Sequence, residues 1–547
     1  MKRSTKFHYL DTLAAIAFFL IVPLTAHLLF SWMGFNPTDD GFILAYSRRL
    51  LEGQVPHRDF ISIRPIFSAL IHTPFVLLGG DHTFYISRYF VWFQLAAINW
   101  SLVSIFNRLL NWPFSNLEKV FAALIGFAAS SHIFPIMAWH TIDGLFLTSI
   151  GLVMSIRQER GSKFVGYLIM STAYLCKQSF IFMAPLTIVI LGDWRSLQYW
   201  LATVIPGVGY LAYLGLAGAI PDAIIQLSSQ TGLFSVGFNS YYRISVVLGI
   251  LVGYFSMRLI VGDPRIRLLV ERRNLQKYIG LSTLYLLPVF GVSASLVLGR
   301  LFNTAFGLFG MVAGALIFFV ADCFKERTGY MRVAALALLN AWSVSLSIGY
   351  NSPVLASGAL LVSLILFAHT NLRASRFFQL SLMFLAVIVL ISLGIARQTR
   401  IYRDQPAKNL TKELDNILPG GNSIRTNPNT YQFLNNLQQA IDFAQNSSQT
   451  YAIIPELAGY WVKSSQANPL PIDWPIEIEL NNPQLISRVV DDLESLRGKT
   501  AIIVQKVKAA QLADAFFPLP DGVYEVVQYV RTNFTEIHET EFFEIYR

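Results

Sequence analysis

Residues 164–192 read FVGYLIMSTAYLCKQSFIFMAPLTIVILG, apolar throughout except for Lys177-Gln178 near the middle. A helix that crosses a bilayer needs about 20 predominantly apolar residues. This run is too long for one ordinary span, and a single span would place a charge near its centre. It divides more naturally into two short spans that meet near Lys177. Outward from it, the qualifying stretches run roughly 10–32, 84–106, 117–134, 138–156, 198–217, 244–261, 279–298, 304–321, 332–348, 353–370 and 377–396, about thirteen spans in all. The division is tested by charge, because cytoplasmic loops carry an excess of Lys and Arg. With a cytoplasmic N-terminus the inner side collects 20 cations, Arg157, Arg160, Lys163, Arg258, Arg265 and Lys277 among them, and the outer side eight. Treating 164–192 as one span would put the basic loop 262–277 outside, against that bias. The fold expected is therefore a polytopic α-helical membrane protein whose C-terminal part lies outside the cytoplasm.

Composition agrees. Only 14% of the 547 residues are charged, where soluble domains carry roughly 25%. The net charge of +9 divides into +13 over residues 1–396 and −4 over 397–547. The basic excess sits between apolar spans and forms no compact basic domain, which excludes nucleic acid as a partner. Two cysteines, Cys176 and Cys323, give no disulfide scaffold and no Cys-based metal site. The apolar run after Lys2, Arg3 and Lys6 is too long for a signal-peptide core and is expected to be a retained first span.

The first outer loop, residues 33–83, departs from the charge rule. Five of the eight outer cations lie between Arg48 and Arg88, where something anionic outside would account for them. Asn36-Pro37-Thr38-Asp39-Asp40 reads as a helix start with Asp or Thr as cap. Phe42 to Glu52 is a short helix stopped by Gly53, and Pro65 to Leu78 is a second, more apolar one. Both are too short to span and are expected to lie along the membrane surface.

Asp39-Asp40-Gly41, Leu51-Glu52-Gly53, Val55-Pro56-His57-Arg58-Asp59-Phe60 and Arg64-Pro65 together resemble the first outer loop of GT-C glycosyltransferases. The nearest relatives by this resemblance are the bacterial dolichyl-phosphate-mannose-mannosyltransferase-like and aminoarabinose-transferase-like branch. Gly166-Tyr167-Leu168 through Tyr174-Leu175-Cys176-Lys177-Gln178, and Ser347-Ile348-Gly349-Tyr350-Asn351-Ser352-Pro353, add further matches. The resemblance implies a polyprenyl-phosphate-linked sugar donor. It implies transfer, with inversion, to an extracytoplasmic acceptor (lipid, polysaccharide or protein) at a bacterial inner membrane.

It also assigns roles. Asp39 matches the acid that takes the acceptor's proton, work typically worth 10²–10⁴-fold, and Asp40 assists it or caps the helix. Arg64 matches a basic residue, often Lys, that meets the donor phosphate, and a guanidinium suits bidentate phosphate contact. Lys177 matches a family lysine. An ionisable residue inside a span is in any case a functional candidate by default, because it costs roughly 2.5–3.5 kcal/mol to insert. Arg58 with His57 would frame the donor entrance. His140 and Asp143, three apart on one helical face, would contact the acceptor or a metal. No cofactor is required; a divalent metal stays open, although His-x-x-Asp supplies only part of a ligand set. Tyr350 and Asn351 would touch substrate, or simply form the Asn-Ser-Pro turn. Phe234 to Tyr242 is an outer loop, either an ordinary one or a lid over the acceptor.

Two domains are expected: a transmembrane catalytic domain, 1–397, and an extracytoplasmic soluble α/β domain, 398–547. In the latter, Thr450–Ile454, Thr500–Val504, Val523–Val530 and Glu541–Tyr546 read as strands. Thr430–Phe443 and Asn482–Leu496 read as helices. Pro455 to Tyr460 resembles a turn found in tails of the family. The domain holds no triad, P-loop or metal spacing, so it is expected to cover the site or recognise the acceptor. Two other functions use related substrates. A lipid or sugar transporter (flippase) would need halves related by internal symmetry, and no repeat is evident. A polysaccharide polymerase or ligase would concentrate cations in later loops, whereas here acid and cations share the first.

Overall fold

The computed structural model describes residues 5–110, 114–131, 136–258, 301–322, 328–346, 358, 361–363, 376–448 and 450–547. The first twelve helices are α1 Thr5–Phe30, α2 Phe42–Leu51, α3 Phe67–Leu78, α4 Thr83–Leu109, α5 Asn116–Ser130, α6 His140–Ser155, α7 Arg160–Thr172, α8 Met183–Leu191, α9 Leu197–Leu216, α10 Ile220–Ser228, α11 Thr231–Asn239 and α12 Ile244–Met257. Leu301–Asp322, Thr328–Ser345 and Arg376–Thr399 form three more apolar helices. Among the described residues, four helices are long and apolar enough to cross a membrane: Thr12–Phe30, Gly80–Leu109, Leu197–Leu216 and Leu382–Thr399. A fifth crossing results if Phe234–Tyr242 and Ile244–Met257, bent by 47°, form one span.

Several expected spans fold as shorter helices. Stretches 117–134 and 138–156 become α5 and α6, of 15 and 16 residues. α5 starts where Ser115 and Glu118 form a capping box, which fixes the turn into the helix. Stretch 279–298 lies outside the described residues, as does most of 353–370. Residues 164–192 break where the charge sits: 3₁₀ turns Ala173–Leu175 and Gln178–Phe182 flank Cys176-Lys177, and Lys177 itself is extended. Phe234–Tyr242, expected as a loop, is helical, belonging to α11 and a 3₁₀ turn at Ser240–Tyr242.

Small residues let helices approach. Gly249 and Gly253 of α12 lie against Gly307, Gly310 and Met311 of the helix Leu301–Asp322, so closely that an added methyl would strike the neighbouring backbone. This is the small-xxx-small packing by which apolar helices associate where solvent gives them no hydrophobic drive.

After Thr399 the chain makes a small hairpin, β1 Lys412–Glu413 with β2 Arg425–Thr426. A four-stranded sheet follows, β3 Thr450–Ile454, β4 Thr500–Gln505, β5 Glu536–Glu539 and β6 Phe543–Tyr546, in the order β3-β4-β6-β5. β3 and β4 pair in parallel, joined through the helix Pro483–Leu496, and the remaining pairs are antiparallel. Asn427 and Asn482 cap the helices Pro428–Ser447 and Pro483–Leu496, each followed by proline at the first helical position. The segment expected as a strand at 523–530 is instead the helix Glu525–Asn533. Its β-branched residues Val526, Val527 and Val530 are buried on one helical face, so packing overrides strand propensity.

The 33–83 loop is not a surface ornament. Ile61 and Ile63 are fully buried in one hydrophobic cluster with Ala452, Ile454, Ile502 and Val504 of the sheet. Backbone bonds join Gly34 to Arg425, Gly459 to Pro37 and Ile61 to Pro471. Arg49 makes a two-pronged pair with Asp473, 2.7 Å on each arm, with both side chains about 5% exposed or less. Removing one partner of a buried pair costs about 3–5 kcal/mol, because the other charge is stranded. Asp473→Ala should therefore lower the melting temperature of the purified protein markedly. Glu413→Ala, which cuts the exposed pair with Arg425, should leave it nearly unchanged. Equal effects in thermal melts would contradict this account of how the loop is anchored.

Candidate active site

The turn from Asn36 to Gly41 sets the first group of side chains. Asn36 Oδ1 accepts the backbone N–H of Asp39 at 3.1 Å, and Asp40 Oδ2 accepts that of Asn36 at 2.9 Å. Gly41 has φ +130°, and a side chain there would collide with the backbone of Gly459. Only glycine satisfies both the backbone angle and the close approach. The turn thus delivers Asp39 and Asp40 against the short helix Ala458–Trp461.

Asp39 Oδ2 accepts the Tyr402 hydroxyl at 2.7 Å and lies 2.9 Å from Arg403 Nη1. Burial raises its pKa above the ordinary carboxylate value, and the negative charges of Asp40 and Glu456 act the same way, while Arg403 and Tyr402 oppose them. Asp40 faces the other way, with Oδ1 3.1 Å from Arg88 Nη2. Arg88 also holds the carbonyls of Ser31 and Gly34, at 2.7 and 2.8 Å, so this pair fixes the loop's start.

A second group gathers round Phe42, which follows Gly41. Its ring lies 6.0 Å from the Arg64 guanidinium carbon, 5.9 Å from the His140 ring and 5.4 Å from the Trp474 ring. Arg64 Nη1 donates to Glu479 Oε1 at 2.8 Å, both groups buried. Lys177 is 0% exposed; its Nζ donates to the carbonyl of Val344 at 2.7 Å. Gln178, next in the chain, donates to the carbonyl of Ile63 at 2.8 Å and ties the helix break to the first loop. One turn along α6 from His140, Asp143 Oδ1 accepts from Gln94 Nε2 at 2.7 Å and His72 Nε2 at 3.0 Å.

Buried polar atoms are normally hydrogen-bonded. Here six are not: Arg64 Nε, both ring nitrogens of His140, Asp143 Oδ2, Trp474 Nε1 and Glu479 Oε2. Water or a polar ligand would complete these bonds. The described residues contain no group of three His, Cys, Asp or Glu placed to hold a metal.

Of the residues singled out in the sequence, Arg64, Lys177, His140 and Asp143 belong to this second group, and Asp39 and Asp40 to the first. His57 and Arg58 make their contacts elsewhere. The His57 ring bonds Gln226 at 2.8 Å and Tyr210 at 2.7 Å, and burial lowers its pKa. Arg58 is exposed and pairs with Asp59. Tyr350 and Asn351 lie outside the described residues.

The outer cations expected to answer an external anion meet the chain's own acids: Arg48 with Glu52, Arg49 with Asp473, Arg58 with Asp59, Arg64 with Glu479 and Arg88 with Asp40. Lys177 differs from them, because its Nζ donates to a neutral backbone carbonyl. His72, Gln94, Tyr402, Arg403, Trp474 and Glu479 join the two groups without having been singled out. His72 and Gln94 carry a readable signal, a polar side chain inside an apolar helix. The other four are distant in sequence and had none.

No protein-family model matches the chain, and no curated protein matches it. Among solved structures, the crystal structure of ArnT from Cupriavidus metallidurans bound to undecaprenyl phosphate aligns with 100% of this chain and 98% of that one. The identity is 11% and the TM-score 0.36.

The raised pKa of Asp39 has a consequence for stability. Below the ordinary value of 3.8 both folded and unfolded chains hold the proton. Between that value and the higher folded one, only the folded chain keeps it, so stability falls as pH rises through this window. Asp39→Asn cannot ionise and escapes the fall. Its melting temperature relative to wild type should therefore climb from pH 4 toward neutrality, in melts of the two purified proteins. A difference that stays flat, or declines, would contradict the burial assigned to Asp39.

Proposed function

We propose that the protein is a membrane glycosyltransferase that moves a monosaccharide from a polyprenyl-phosphate donor to an extracytoplasmic acceptor, with inversion at the anomeric carbon. The observation that carries this is Lys177: a fully buried ammonium at a helix break, bonded to a backbone carbonyl, with Arg64 and the unbonded His140 ring in electrostatic range. Lys177, bonded to a neutral carbonyl where Arg64 beside it has Glu479, suits a ligand that brings its own negative charge. A lipid phosphate is such a ligand, and the motifs Asp39-Asp40-Gly41, Arg64-Pro65 and Cys176-Lys177-Gln178 resemble those of enzymes that use one.

In this scheme Asp39 removes the proton of the acceptor hydroxyl as its oxygen bonds to the anomeric carbon. The bond from that carbon to the phosphate oxygen breaks, and the electron pair leaves on the phosphate. Lys177 and Arg64 stabilise the charge that develops there. A carboxylate with a raised pKa is the better base, since its proton affinity lies nearer the working pH. Asp40, committed to Arg88, holds the turn. Asp143, oriented by His72 and Gln94, offers its free oxygen to substrate. Residues 398–547 form an extracytoplasmic domain that closes over the first loop, and the enzyme sits in a bacterial inner membrane.

The test is sugar transfer in membranes supplied with a panel of radiolabelled polyprenyl-phosphate sugars, with expression matched between variants. Asp39→Asn should reduce transfer by about 10²-fold or more, and Lys177→Met by about 10²–10³-fold. Full activity in both variants, alongside robust wild-type transfer, would remove these residues from the mechanism.

A further inference from the structure

The segment Trp474–Glu479 belongs to the C-terminal part of the chain, yet two of its side chains end in the Phe42 group. Trp474 packs its ring at 5.4 Å from Phe42 and leaves its indole Nε1 unbonded and buried. Glu479, 1% exposed, gives Oε1 to Arg64 and leaves Oε2 unbonded. On α6, the His140 ring that packs against Phe42 leaves both nitrogens unbonded, and Asp143, one turn on, leaves Oδ2 unbonded. An anion alone would not match this set. Phosphate oxygens call for donors, and two of the unbonded atoms are carboxylate oxygens, which only accept. Donors come from Trp474 Nε1, Arg64 Nε and one nitrogen of His140. A ligand that satisfies both kinds must itself present donors and acceptors at closely spaced positions. A ring of hydroxyls does so, since each hydroxyl gives one proton and accepts through its lone pairs. The flat aromatic faces of Phe42 and Trp474 beside these groups suit the apolar face of such a ring.

We propose that Trp474 and Glu479 are specificity-determining residues that read the hydroxyls of the transferred sugar, so that the C-terminal part completes the donor site. This rests on the donor reading above and adds to it the half of the site that tells one sugar from another. Glu479 has two tasks. Oε1 aims Arg64, and Oε2 accepts from a sugar hydroxyl. Trp474 Nε1 donates to a neighbouring hydroxyl.

The test uses the full chain in lipid nanodiscs. Affinity is measured for undecaprenyl phosphate alone and for the same carrier bearing mannose, glucose or galactose, with wild type, Glu479→Gln, Trp474→Phe and Lys177→Met. Wild type should prefer at least one sugar-bearing carrier to the bare one by about tenfold, the order expected of one or two hydrogen bonds. Trp474→Phe, which keeps a ring against Phe42, and Glu479→Gln should hold the bare carrier within about threefold of wild type and lose most of that preference. A preference unchanged in both variants would overturn the proposal. So would a fall in Glu479→Gln that is as large for the bare carrier as for the sugar-bearing one, since Glu479 would then serve Arg64 alone. Wild type that favours no sugar-bearing carrier would overturn it too. Lys177→Met reports separately: undiminished binding of the bare carrier in that variant would sink the phosphate site while leaving the sugar comparison intact.

Discussion

A cation taken out of water must be met by an anion or by oriented oxygen atoms, and this requirement shapes the molecule. Arg49, Arg64 and Arg88 are all buried, the first two in the 33–83 loop and the third on α4. Arg49 draws in Asp473, Arg64 draws in Glu479, and Arg88 gathers Asp40 with the carbonyls of Ser31 and Gly34. An unpaired buried charge is costly enough to rule out alternative seatings of the loop. These pairs therefore act as a register: with Arg49 on Asp473, the chain from Leu470 onward is held beside α2, and Arg64 falls within reach of Glu479.

The hydrophobic contacts follow the same seam. Ile61 and Ile63 complete the core under the sheet, while Phe35, Phe42 and Phe60 share a cluster with both the membrane helices and residues such as Tyr451 and Phe433. The loop is thus an interior layer with apolar side chains on both faces. A short helix placed there is rigid because of what covers it. That rigidity is what a site needs, since catalytic groups must be held within a fraction of an ångström by their neighbours.

Within the layer the two polar groups have opposite characters. Around Asp39 the carboxylate is bonded to an arginine and a tyrosine, and burial, with smaller help from Asp40 and Glu456, pushes its proton affinity upward against them. Around Phe42 polar atoms are left open: one oxygen of Glu479, one of Asp143 and both nitrogens of His140. Asp39, Asp40, Gly41 and Phe42 are consecutive, so the chain itself spaces the one polar group from the other. Gly41 pressed against Gly459 keeps that spacing fixed.

The sequence by itself determined the local features. Apolar runs dictated helices, since a backbone surrounded by apolar side chains must bond to itself. Lys177 dictated the break between α7 and α8, because a charge tolerates the centre of a continuous span poorly. Asp39, Arg64, Lys177, His140 and Asp143 stood out as polar residues in apolar or turn settings. What only the tertiary structure decided depends on contacts between residues hundreds of positions apart. That Glu479 and Trp474 meet Arg64 and Phe42, that Tyr402 and Arg403 hold Asp39, and that Val526, Val527 and Val530 lie on a helix and not a strand are all consequences of packing. Periodicity reports which face of an element is apolar, but not which distant surface it will be buried against. The outer cations show the same limit: local charge counting suggested a foreign anion, and the fold supplied the chain's own acids, because opposite charges pair across space without regard to sequence distance.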